Sequence, residues 1–192
     1  MSIFNYFSAK RKLRAAKDSA PQMIYGYEQN GELLKDTRVG SATSIVGKEG
    51  LLLEDNVFIG QFNFIEATNG IHSEEGCQIT NYDSIITHSS HIAIRLYGDQ
   101  YRSAKDPVAY NKGNVKIGKY TFVGPHVTIM PDTTIGKGSI VASHSMVKGN
   151  FPDFSIIGGT PAKVIGDTRE MDAPYLKEHP ELQKNYDKWS KE

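Results

Sequence analysis

A single cysteine, Cys77, stands in 192 residues, so no internal disulfide can form and nothing in the chain calls for an oxidising compartment. A cytoplasmic setting is the default. Long apolar runs are missing too: none approaches the roughly 18 residues that span a bilayer. The first residues also lack the apolar stretch and small-residue cleavage site of a signal peptide. Nor is there an excess of charge, because Lys and Arg number 22 and Asp and Glu also 22. That balance excludes the broad basic field used for nucleic-acid binding, and any anion has to be held locally. The length suits one domain with appendages better than two.

What the chain does have is a period of six. Aliphatics fall at Ile117, Val123, Ile129, Ile135, Val141 and Val147, with small or β-branched residues four positions after the first five, at Thr121, Val127, Thr133, Ser139 and Ser145. Glycine often follows the aliphatic, as at Gly118, Gly124 and Gly136. An earlier run gives Leu53, Ile59, Ile65, Ile71 and Cys77, with a looser start at Val39 and Ile45. Helices repeat near 3.6 residues and half-buried strands near 2, so a sixfold pattern predicts short strands joined by regular corners. Three six-residue sides would bring the chain back one strand spacing higher, about 4.8 Å away, and stack the aliphatics into ladders. Cys77, on this spacing, is a core residue and not a nucleophile.

The motif of an aliphatic, a glycine, two variable positions and a small residue resembles the hexapeptide-repeat acyltransferases. The stretch "VKGNFPDFSIIGGTPAKVIGD", 147–167, is similar to that family's closing signature. The resemblance covers roughly 37–167. It implies an all-β fold, a left-handed parallel β-helix of hexapeptide repeats with a protruding loop and a C-terminal α-helix. Three segments are expected: 1–36, an N-terminal segment with a short amphipathic helix; 37–167, the β-helix catalytic domain; and 168–192, a helical cap. A noncatalytic scaffold is the alternative outside enzymology.

The repeat breaks between Cys77 and Ile117, and 88–114 has no sustained periodicity. A loop of that length in a compact repeat points to function. The related sugar and surface-polysaccharide acetyltransferases place a catalytic histidine where such a loop begins, which makes His91 the first candidate here and His88 the alternate. A histidine can take the proton of a hydroxyl as it attacks a thioester. Glu66 or Asp83 is expected to orient the ring. By the same resemblance the donor is acetyl-coenzyme A, lying between β-helices of a homotrimer. Its expected contacts are Ser143, Ser145, Lys148, Gly158, Gly159, Thr160, Pro161, Ala162 and Lys163. Acceptor contacts are expected from Asn63, Glu66, Tyr82, Arg95, Tyr97 and Phe122, aromatics giving a sugar ring its apolar face. The acceptor is a saccharide hydroxyl, as in bacterial O-antigen or capsule modification, with N-acetylation of an amino sugar as runner-up.

His126 and His144 lie 18 apart and are expected to stack on one corner; with His72 or His91 they could form a zinc set, but no metal is expected. At the N-terminus Ile3, Phe4, Tyr6 and Phe7 precede Lys10, Arg11, Lys12, Arg14 and Lys17. The apolar residues are expected to pack on the protein, the alternative being contact with an anionic membrane surface. Near the other end Pro180 suits a first helical turn, and Leu182, Tyr186 and Trp189 are expected to cover the last coil.

Overall fold

The computed structural model describes residues 3–191. Two eight-stranded sheets curl into stacked, mostly parallel coils with three faces. On the first face residues 38–39, 58–59, 78–79, 122–123, 140–141 and 156–157 stack in order. The second face stacks 44–46, 64–66, 84–86, 128–129 and 146–147. The third stacks 51–53, 71–73, 115–117, 133–135 and 149–151.

The inward ladder is the aliphatic one: Ile59, Ile79, Val123, Val141 and Ile157 on the first face and Ile65, Ile85, Ile129 and Val147 on the second are all essentially inaccessible to solvent. Each such side chain contributes roughly 1.5–3 kcal/mol. Deleting one methyl from the ladder, Ile129→Val, is expected to cost about 0.5–1.5 kcal/mol in urea unfolding, with the denaturant slope unchanged.

The coil does not have the constant length of 18 residues that the spacing predicts. Steps from third to first face and from first to second are six residues throughout, as in 53 to 59 to 65 and 135 to 141 to 147. The corner between second and third faces absorbs all the variation. Paired inward positions there run 45 to 53, 65 to 73, 85 to 117, 129 to 135 and 147 to 151. The long loop is thus the extreme case of a corner whose length already runs from four to eight residues. One consequence corrects the ladder: Ser73, not Cys77, stacks between Leu53 and Ile117. Cys77 is still fully buried, below Val57 and above Thr121 by register, and burial pushes its thiol up to about 11. It is core, as expected.

Corners are turned by left-handed residues, and most are not glycine. Phe62, Tyr82, His126 and His144 all have φ near +60° on the corner between first and second faces. Such backbone is costly for bulky residues. Stacking of their rings, 5.2, 5.0 and 4.8 Å between successive centroids, offsets that cost. The glycines after the aliphatics serve another purpose, since a Cβ at Gly60 would lie 2.2 Å from the carbonyl oxygen of Thr80 in the next coil.

Both ends carry the expected helices but differ from the sequence reading in what lies beside them. Met23–Gln29 and Glu32–Gly40 form an antiparallel hairpin whose second strand runs into the first face. Its Asn30-Gly31 turn, with φ of 54° and 81°, is a strong hairpin signal that the hexad count passed over. Before it, α1 (Ile3–Asp18) leaves its described large apolar side chains exposed, Phe7 at 64% and Leu13 at 59%. The side chains of Ile3, Phe4 and Tyr6 lie outside the described residues. The last first-face strand is covered by an antiparallel return, Ser155–Gly159 against Ala162–Asp167, and not by a helix. Two C-terminal helices follow, Thr168–Glu178 and Gln183–Ser190. Trp189 packs sideways on the corner rings of Tyr120 and Phe154, with Tyr186 at its edge, while Leu182 stays exposed.

Candidate active site

The loop leaves the coil at Thr87 and returns at Gly113, whose N–H donates to the Thr87 carbonyl at 3.0 Å. Inside that neck, His88–Ser89 pairs antiparallel with Asn111–Lys112. Beyond it lie a short helix, α2 (Ala93–Tyr97), and a 3-10 segment, Gly98–Ser103. His88 is therefore fixed at both its backbone and its ring, which stacks on Tyr110 at 5.5 Å.

Glu66, one coil earlier on the second face, stands in register with Ile86 and reaches the neck. Its Oε2 lies 2.8 Å from His88 Nδ1 and accepts from the Thr87 hydroxyl at 2.7 Å and the Thr87 N–H at 3.0 Å. Its Oε1 accepts from the Thr68 N–H at 3.0 Å and from the Thr68 hydroxyl. Burial raises the pKa of this carboxyl, but the Thr68 and Thr87 hydroxyls and N–H groups outweigh it and hold the group at about 2. Glu66 is thus an ionised, buried acceptor with five donors on it. With Nδ1–H committed to it, His88 presents Nε2 as the nitrogen able to take a proton.

His91 is held differently. It is exposed, its Nδ1 lies 2.8 Å from the Ser89 hydroxyl, and its carbonyl accepts from Arg95. Together with Ser89, Lys112, Asp132 and Lys148 it lines a cleft of about 160 Å³ between the loop neck and the following coils. The two histidines therefore divide the expected roles, one bearing the carboxylate partner and the other facing the cleft.

Several other expected contacts are corrected by their positions. Asn63 is buried and spends its amide within the coil, donating to the Thr80 carbonyl at 2.9 Å and accepting from the Asp83 N–H at 2.8 Å. Ser145 is buried as well, donating to the Ala142 carbonyl at 2.6 Å and accepting from the Gly159 N–H at 3.2 Å. Neither has a free group for a ligand. Asp83 points into the coil interior toward Val127 and does not orient a histidine. Tyr82 sits in the ring stack on the corner between first and second faces, and Phe122 points outward from the first face, so neither stands at the loop neck. Arg95 and Tyr97 belong to the loop, where the Tyr97 hydroxyl accepts from the Val108 N–H at 2.9 Å.

Lys148 alone of the expected donor contacts lines the cleft. Ser143, Gly159, Thr160, Pro161 and Lys163 are exposed, with Gly158 buried and Ala162 half-buried, at the other end of the second-face strand. There Thr160 donates to the His144 carbonyl at 3.2 Å. His126 and His144 do stack on one corner, at 4.8 Å. Neither His72 nor His91 joins them; His72 instead meets Glu54 at 3.0 Å, with Glu74 nearby.

Residues 114–149 match the family model described as bacterial transferase hexapeptide (six repeats). A Mycobacterium tuberculosis protein named a probable acetyltransferase is 30% identical over 141 residues, 70% of this chain and 43% of its own. An Escherichia coli protein, WbbJ, named for lipopolysaccharide biosynthesis O-acetyl transfer, is 28% identical over 130 residues, 66% of this chain and 65% of its own. The chain thus spans less than two thirds of either relative. Among solved structures, a maltose O-acetyltransferase of Clostridium difficile superposes with a TM-score of 0.57 at 20% identity, covering 66% of this chain and 64% of that one. AntD, an N-acyltransferase of Bacillus cereus in complex with dTDP and coenzyme A, gives 0.52 at 20% identity over 74% and 88%. These two likenesses concern the fold. By its repeat, its stacked parallel coils and its sequence relatives, the chain resembles the hexapeptide-repeat acyltransferases.

Proposed function

We propose that the protein moves an acetyl group from acetyl-coenzyme A to a hydroxyl of a saccharide, with His88 as general base and Glu66 as its positioning partner. The observation that carries this reading is the 2.8 Å contact of His88 Nδ1 with the buried Glu66 carboxylate at the root of a loop, beside a cleft lined by His91 and Lys148. His88 Nε2 takes the hydroxyl proton as that oxygen bonds to the thioester carbon. The tetrahedral intermediate then collapses, the carbon–sulfur bond breaks, and the imidazolium returns its proton to the leaving thiolate. The enzyme ends as it began, and no acyl-enzyme forms. The carboxylate fixes the tautomer and supports the transient imidazolium, the role a buried acid plays toward a histidine base elsewhere.

Lys148 is the cation for the donor's phosphates at the cleft, with Lys163 and the 158–162 turn as a second contact near His144, whose carbonyl accepts from Thr160. His91 and Arg95 face the acceptor. The coil winds left-handed, as the family resemblance implies, and the donor lies between adjacent copies of a homotrimer in the cytoplasm. The name of the Escherichia coli relative supports a hydroxyl acceptor in a surface glycan.

Coenzyme A release, measured with a panel of hydroxyl sugars and amino sugars, tests this. Acetyl-coenzyme A-dependent release with a hydroxyl sugar is the expected outcome. Release only with amino sugars replaces O-transfer with N-transfer. An absence of both donor binding and release across the panel returns the chain to a scaffold.

A further inference from the structure

α1 carries five of the chain's 22 basic residues and one, Asp18, of its 22 acidic ones. With the totals equal, the rest of the molecule carries the compensating negative excess. The helix is thus a cationic arm on a net anionic body. Phe7, Lys10, Arg14 and Lys17 follow one another at spacings of three and four, which puts them on one line along the helix, with Arg11 beside them. The opposite side holds Ser8, Lys12, Ala15 and Ala16. No described side chain of this helix is buried, and beyond it the Gln22 N–H donates to the Ser41 hydroxyl at 2.9 Å. An isolated helix of 16 residues is marginal in water, and docking on a complementary surface stabilises it.

Charge selects the partner. A second copy would set one basic line against another, whereas an anionic surface is complementary to it. Phe7 and Leu13, both exposed, add apolar area that phosphates alone do not use. We propose that α1 docks the protein on an anionic lipid surface, the basic line lying against headgroup phosphates with Phe7 and Leu13 entering the headgroup boundary. The repulsion of the net anionic body leaves the helix as the contact. The inference stands apart from the transfer reaction and is tested without it.

The test is co-sedimentation of the full chain with vesicles of phosphatidylcholine alone or mixed with phosphatidylglycerol. Partitioning onto the anionic vesicles is expected to exceed that onto the neutral ones by about tenfold or more and to fall steeply with added salt. The triple variant Arg11→Glu, Arg14→Glu, Lys17→Glu should lose this binding with its thermal transition unchanged, since none of those side chains packs on the coil. Phe7→Ser with Leu13→Ser should weaken binding several-fold while leaving the salt dependence in place. Equal partitioning onto both vesicles, or charge reversal without effect, overturns the proposal. So does release from anionic vesicles by RNA at equal phosphate, which would assign the arm to a nucleic acid.

Discussion

His88→Ala is expected to lower kcat by about 10²–10⁴-fold, the range that loss of a positioned general base produces. Donor binding should stay near wild type. The side chain is about one-third exposed, and its removal leaves the coil's aliphatic ladders untouched, so the variant should fold. His91→Ala, by contrast, removes a ring that faces the cleft with only a serine behind it. Its expected effect is on acceptor KM, with kcat within about an order of magnitude. Single-turnover measurement of coenzyme A release on the two variants checks the assignment. If His88→Ala turns over normally and His91→Ala does not, the order suggested by family resemblance stands and the carboxylate pair is structural.

Glu66 bears on the same result through charge. Its folded pKa, about 2, lies below the ordinary carboxylate value of 4.5. A depressed carboxylate contributes stability that is present above the unfolded value and is lost as pH falls from there through the folded one. The Glu66 carboxylate therefore stays ionised well below neutral pH and remains an acceptor for its partners there. Glu66→Gln would replace an acceptor oxygen with an N–H₂ group facing N–H and O–H donors. It is accordingly a fold variant as well as a site variant, and His88→Ala is the cleaner experiment.

The sixfold spacing was sufficient to identify stacked strands because most inward positions repeat one requirement, a branched aliphatic, with Ser73 and Phe151 among the exceptions. What it left open was anything that breaks the repetition. The corner between second and third faces changes length from coil to coil, so counting in sixes carried Cys77 onto the wrong ladder while still placing it in the core. The hairpin at 23–40 obeys a period of two and a turn signal. A search for hexads does not register either.

The site was half legible for a related reason. His88, His91 and Glu66 were all visible as residues near a break in the pattern. Which histidine meets Glu66 depends on register between coils, Glu66 over Ile86, and that register depends on the corner length. Asn63 and Ser145 misled in the opposite direction. Polar residues in a repeat suggest ligand contacts, but the turns of the coil leave buried backbone groups, and these two side chains satisfy them.

The same ladder that accounts for Asn63 exposes a defect at Asp83, directly beneath it. Asn63 Oδ1 accepts from the Asp83 N–H at 2.8 Å, and Asp83 Oδ1 accepts in the same way from the Val127 N–H, also at 2.8 Å. The Asn63 amide then donates to the Thr80 carbonyl, whose counterpart one coil on is that of Gly124 by register. A carboxylate has nothing to donate there, and Asp83 Oδ2 is buried with no partner among the described residues. Burial accordingly pushes this carboxyl up to about 7, against two backbone N–H bonds that pull it down. Asp83→Asn supplies the missing donor and removes a buried charge, and is expected to stabilise the protein at pH 8 by roughly 1–3 kcal/mol. The sign of the pH dependence follows from the raised pKa. The unfolded carboxyl loses its proton near 3.8 and the folded one near 7, so the wild type binds more protons folded than unfolded between those values. That contribution to stability is full below 3.8, declines as pH rises through about 7, and is level beyond it. Urea midpoints of the two proteins should therefore converge toward pH 4 and separate toward pH 8. A variant no more stable than wild type at pH 8, or a gap that does not widen with pH, would mean that Asp83 finds a donor of its own in the folded coil.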